Sequence, residues 1–196
     1  MSWRAGVRAS AALLVAGACK GDQTMPLGLH RAQLLALARS AAAEPPPAAF
    51  SFPNNRLTTF SIRHTDTTHT LYAQFTFTPL SVVSRNDTIL ADTSTVSISV
   101  SITPGLYDLN VAPSTLGFNI AGGPTVTLSY GIYGDLSVFD SSAKYPSAAA
   151  FGQALELWRE VAPDSWVPTR NSAHTGPSTI SSALESPGTY LVAAPK

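Results

Sequence analysis

The sequence predicts an antiparallel all-β sandwich, and three observations carry that reading. Apolar and polar residues alternate with period two from about Asn54 onward. Turn-forming pairs interrupt the alternation at short intervals. Charged residues make up only 12% of the chain, against about 25% in ordinary soluble domains, so serine and threonine carry much of the polar surface.

The elements follow in order. Leu57 to Arg63 is a first short strand candidate. Leu71, Ala73, Phe75 and Phe77 alternate with Tyr72, Gln74, Thr76 and Thr78. Val96, Ile98, Val100 and Ile102 alternate with Ser97, Ser99 and Ser101, the pattern of a strand with one face on a core and one in water. Val126, Leu128 and Tyr130 alternate with Thr127 and Ser129. Shorter candidates are Leu106 to Val111, Leu116 to Ile120, Ala154 to Glu160, Trp166 to Thr169, Thr179 to Leu184 and Thr189 to Ala193. Asn86-Asp87, Pro104-Gly105, Gly122-Gly123-Pro124, Pro163-Asp164 and Pro187-Gly188 supply the turns. Ser141 to Gly152, with three consecutive alanines, is expected to hold a helical turn or a loop. Many short strands at this spacing are the signature of a sandwich.

A formal net charge of zero disfavours nucleic-acid binding, because nothing basic enough to track a phosphate backbone is present. The single cysteine, Cys19, cannot form an internal disulfide. Its position is informative. Arg4 and Arg8 precede a short apolar run, Ala9 to Ala16, and Ala16-Gly17-Ala18 stands directly before Cys19. That order is an export signal, and the run is far shorter than the roughly 20 residues of a membrane-spanning helix. Val15-Ala16-Gly17-Ala18-Cys19 resembles the bacterial lipobox, with Ala16 where that motif prefers leucine. The resemblance implies a signal peptide over 1–18, lipid attachment (palmitate among the acyl chains) at Cys19, and anchoring to the cell membrane or outer membrane. Residues 19–53 then read as a tether. Leu29 to Ala42 is rich in helix formers, with Leu34, Leu35, Leu37 and Ala38 able to line one face, and Glu44-Pro45-Pro46-Pro47 ends any helix. The sandwich is expected to occupy residues 54–196.

Within that domain, Phe118-Asn119-Ile120, Pro124 to Tyr130, Leu155-Glu156-Leu157-Trp158-Arg159, Trp166-Val167-Pro168-Thr169, Ser178 to Leu184 and Gly188 to Val192 recur in a recognisable order. The order resembles ZU5-type domains, which implies an immunoglobulin-like/ZU5-like sandwich and a role in protein contact or structure. Some of those domains cleave themselves at a His-Phe-Ser motif. The matching place here reads Ser186-Pro187-Gly188, so that activity is not expected.

Two groups of residues are candidates for a site. In Arg63 to His69, a turn at Asp66-Thr67 would set His64 and His69 opposite each other, with Asp66 as a third oxygen or nitrogen donor for a metal. A solvated hairpin tip is the simpler reading, and no metal or other cofactor is expected. Trp158 follows Leu157, so it should face away from the core, and with Trp166 it would form an aromatic contact platform. The alternative is a tryptophan packed beneath a neighbouring loop. No nucleophile elbow, phosphate loop or metal-binding helix motif occurs. The sequence reads as a lipid-anchored, non-enzymatic envelope module with a protein or glycan partner. The alternative is a carbohydrate- or peptide-processing hydrolase without a recognisable motif, for which Glu156 and Glu160 are an imaginable carboxylate pair.

Overall fold

The computed structural model describes residues 28–40 and 43–196, so the signal segment and Cys19 lie outside the described residues. Antiparallel strands dominate, arranged in two principal sheets. The larger sheet takes Ser165–Pro168, Glu156–Ala162, Gly188–Pro195, Asp108–Ala112, Thr95–Ser101 and Ala48–Pro53 in that order, and Leu34–Ala36 joins it beside the end of Gly188–Pro195. The second sheet runs Ala173–Gly176, Thr179–Ala183, Thr125–Ser129, Leu71–Phe77 and Thr58–Arg63.

Alternation in the sequence becomes alternation in burial. Val96, Ile98 and Val100 are buried, while the serines between them are exposed. Phe75, Phe77, Val126 and Leu128 do the same for the second sheet, and residues of both sheets merge into one core. Two aromatic contacts fasten the layers: Phe50 stacks on Phe60 with ring centroids 4.4 Å apart, and Phe52 meets Phe77 at 4.4 Å. Asn86 and Asp87 both take positive φ, +49° and +59°, the backbone of a two-residue hairpin turn between Val82–Arg85 and Thr88–Ile89. Among the described residues helix is confined to short pieces. Arg31–Gln33 and Leu136–Ser141 are 3-10 turns, and Ala148–Ala154 is an α-helix that Ser147 caps by accepting from the Ala150 N–H.

The N-terminal stretch departs from expectation. Residues 29–40 form no α-helix, and 28–53 are not a free tether. Leu34–Ala36 pairs with Ala193 to Pro195, and the Leu37 N–H donates to Val192 O. Leu34, Leu35 and Leu37 are all buried. Ala48–Pro53 is a full strand whose partner is Thr95 to Val100. The reason is tertiary. Leucine and alanine favour helix in isolation, but here they pair with the end of a central strand and cover an apolar face. Leu29 to Arg39 and Ala48–Pro53 therefore belong to the folded unit, well before Asn54.

Candidate functional site

Trp158 does face away from Leu157, on the outer side of the large sheet, but no open platform results. It is 4% exposed and packs with Leu34, Ala36, Trp166, Leu191 and Ala193, with Leu29 and Leu106 at the margin. Its indole N–H donates to Ala193 O at 3.1 Å. Trp166 is likewise buried. What covers them is the N-terminal stretch. Leu29 and Trp166 exchange two backbone hydrogen bonds of 2.8 Å, and the Arg31 N–H donates to the Asp164 carboxylate at 2.8 Å. Gly28 permits this approach, since a Cβ there would stand 2.4 Å from Ser165 Oγ and 2.9 Å from the Trp166 backbone. The two tryptophans are thus the centre of a second apolar cluster.

The histidine loop also differs from the expected two-residue turn. The His64 N–H donates to Thr70 O, so His64 stands opposite Thr70 and not His69. His69 takes φ +50° and stays exposed, whereas His64 is buried. Asp66 organises the turn between them. Its carboxylate accepts from the Thr70 N–H at 2.8 Å, from the Thr68 hydroxyl at 3.0 Å, from the Thr70 hydroxyl, and from the Tyr133 hydroxyl at 2.9 Å. These donors, led by the Thr70 hydroxyl, hold the Asp66 carboxyl well below the usual carboxylate range. Its oxygens are committed, and His64 and His69 are separated by burial. Among the described residues no group of three histidine, cysteine or acidic side chains could hold a metal ion.

His64 belongs instead to a buried polar cluster between the sheets. Its Nδ1–H donates to Ala43 O at 2.6 Å, which leaves Nε2 as the lone-pair nitrogen of a neutral ring. Burial lowers its pKa below the ordinary 6.5, against the opposing effect of that hydrogen bond. The ring lies edge-on to Tyr72 at 5.4 Å and against Tyr133 at 4.3 Å. Tyr72 is the hub. Tyr107 stacks on it at 5.3 Å, and the Arg39 guanidinium lies 5.6 Å from its ring centre. The Tyr72 hydroxyl donates to Asp108 O at 2.6 Å, and burial drives its own pKa upward. Arg39 is 4% exposed; it donates to Leu106 O and Thr103 O and pairs with Glu44. Asp108 accepts from the Thr103 N–H at 2.7 Å, and burial raises its carboxyl pKa.

This cluster ties the strand Ala38–Arg39 and the residues around Ala43 to the core. It holds charge, aromatic faces and a neutral histidine. A surface pocket of about 410 Å³ opens beside it, lined by Pro46, Ala48, Ser61, Ile62, His64 and His69. Arg39, Tyr72, Tyr107 and Asp108 carried no motif in the sequence. The one signal that pointed toward them was the polar tyrosine at an alternate position of a strand, Tyr72.

Glu156 and Glu160 share the strand Glu156–Ala162, and Glu160 accepts the Asp164 N–H at 3.1 Å in the turn. Among the described residues no helix is long and apolar enough to cross a membrane. No protein-family model matches the chain, and neither curated proteins nor solved structures give a match.

Proposed function

We propose that this chain is a lipid-anchored cell-envelope protein whose β-sandwich is a non-enzymatic binding or structural module. The observation that carries the reading is one coincidence. Arg4 and Arg8, an apolar run of export length and three small residues all precede the chain's single cysteine. Processing there makes Cys19 the first residue, and its acyl chains contribute about 0.8 kcal/mol per buried methylene to membrane attachment.

The fold is compatible with this arrangement. The described unit starts at Gly28, so eight residues separate it from Cys19. Fully extended, that stretch reaches about 30 Å. A lipid on Cys19 would accordingly hold Gly28 within about 30 Å of the bilayer surface. The ZU5-like order of features between Thr115 and Ala194 supports a contact or structural role for the sandwich, with an envelope protein or glycan as partner.

Replacing Cys19 with serine tests the anchor. We expect the variant to lose incorporation of labelled palmitate and to leave the membrane fraction. Labelling that persists in Cys19→Ser contradicts the assignment.

A further inference from the structure

Three loops meet at one end of the sandwich. Thr58 pairs with Phe77 and Thr76 with Thr125, so the segments before Thr58, after Phe77 and before Thr125 leave the second sheet together. Hydrogen bonds join them. The Leu80 N–H donates to Asn54 O at 2.7 Å, the Asn119 N–H to Ser81 O at 2.9 Å, and the Thr78 hydroxyl to Gly122 O at 2.8 Å. Each loop carries an aliphatic residue on its surface: Leu57 is 65% exposed, Leu80 41% and Ile120 76%. Isolated exposed aliphatics are common, but these three sit on hydrogen-bonded loops at one end of the sandwich. Leu80 holds φ +60°, a conformation usually left to glycine or asparagine, so the backbone bears strain to place a leucine there. The segments 54–57, 78–81 and 119–124 contain Arg56 and no carboxylate, and the neighbouring loop that ends at Ser94 adds Asp92.

The chain enters the fold toward the same end. Pro53 pairs with Thr95, Gly188 with Val111 and Arg159 with Tyr190. That register places the Pro163-Asp164 turn at the end of the large sheet where Asn54 to Leu57 crosses to the second sheet. Leu29 pairs with Trp166, two residues from that turn. A leash of about 30 Å from Gly28 therefore lets this end meet the surface that the anchor enters.

We propose that Leu57, Leu80 and Ile120 insert into the interfacial layer of the lipid bilayer, which fixes the sandwich with this end down and the opposite end outward. The proposal rests on the lipid-anchor reading. Aliphatic tips suit the boundary between headgroups and acyl chains, where apolar burial drives binding and the charged residues of this end, Arg56, Asp92, Arg85 beside Thr95 O, and Asp164 with Arg31, can remain among the headgroups.

Processed protein in vesicles of phosphatidylethanolamine and phosphatidylglycerol, part of it with brominated acyl chains, gives a direct test. An environment-sensitive dye is placed in separate variants at Leu57→Cys, Ile120→Cys and Ile132→Cys. Ile132 is 69% exposed and follows the far end of Thr125–Ser129. We expect brominated lipid to remove emission at positions 57 and 120 and to leave 132 unchanged. Equal quenching at all three positions, or none at 57 and 120, overturns the proposal. The intact mass of the same preparations reports acylation of Cys19 separately. Quenching at the tips without an acyl chain upholds the proposal and removes the anchor reading. Acylated protein without tip quenching does the reverse.

Discussion

Trp158 is the residue on which the outer cluster closes. Shortening a tryptophan this deeply buried costs about 3–5 kcal/mol, so Trp158→Ala should lower the thermal midpoint sharply. An open contact residue would leave stability nearly unchanged, so an unshifted melt contradicts the packing described above. Parity along the strand revealed that Trp158 faces away from Leu157. Its cover was hidden because Leu34 and Ala36 are remote in sequence and look helical.

His64 gives a pH signature. Burial lowers its folded pKa below 6.5, so the unfolded chain binds the proton more readily. Stability should fall as pH drops below about 6.5 and stop falling once the folded ring also protonates. His64→Asn retains a donor toward Ala43 O without titrating, and its stability should be flatter in that window. Asp66 adds a second loss at lower pH, because its depressed folded pKa gives stability that is present above 3.8 and lost as pH falls through the folded value. Asp108 has the opposite sign, since its raised pKa loses stability as pH rises past 3.8. Denaturant melts of both proteins from pH 7 to 5 isolate the histidine. Identical slopes would show that His64 is not held neutral by the fold.

At the scale of elements, the decisive segment is 28–53. Leu34–Ala36 pairs with the end of the central strand Gly188–Pro195, and Ala48–Pro53 supplies Phe50 and Phe52 to the contacts between layers. A chain that starts at Gly28 should unfold cooperatively. One that starts at Asn54 loses three strands and uncovers Trp158, and it should show no cooperative transition by circular dichroism. A cooperative melt of the shorter chain would restore the tether reading. Most strands after Asn54 were visible because alternation and turns are local properties; the short pieces Val82–Arg85, Thr88–Ile89, Gly134–Asp135 and Ala173–Gly176 were not, because they are too short to carry a clear alternation. Phe50-Ser51-Phe52 carried the same alternation, but it followed a proline run that pointed to a linker. For Leu34 to Arg39 local propensity favours helix, and distant partners make it sheet, Val192 to Pro195 for Leu34 to Leu37 and Gly134–Asp135 for Ala38–Arg39. The histidine loop was misread for a related reason. Asp66 gathers donors from Thr68, Thr70 and Tyr133, which builds a longer turn than a two-residue hairpin.

For the whole molecule, two antiparallel sheets close on one core, and a polar cluster around Tyr72 locks the N-terminal strands onto it. Arg39 is the charged member of that lock. Arg39→Ala strips donors from Leu106 O and Thr103 O, and a loss of about 1–3 kcal/mol should appear in denaturant melts. A variant as stable as the parent would mean that the cluster does not secure the N-terminal strands. The proposed lipid on Cys19 would tether this architecture with at most about 30 Å of extended chain between the cysteine and Gly28. The most direct measurement of that central claim is the mass of the N-terminal peptide from the membrane fraction. The account predicts that it begins at Cys19 and carries acyl chains. An N-terminus elsewhere, or an unmodified cysteine on the membrane-bound protein, would contradict it.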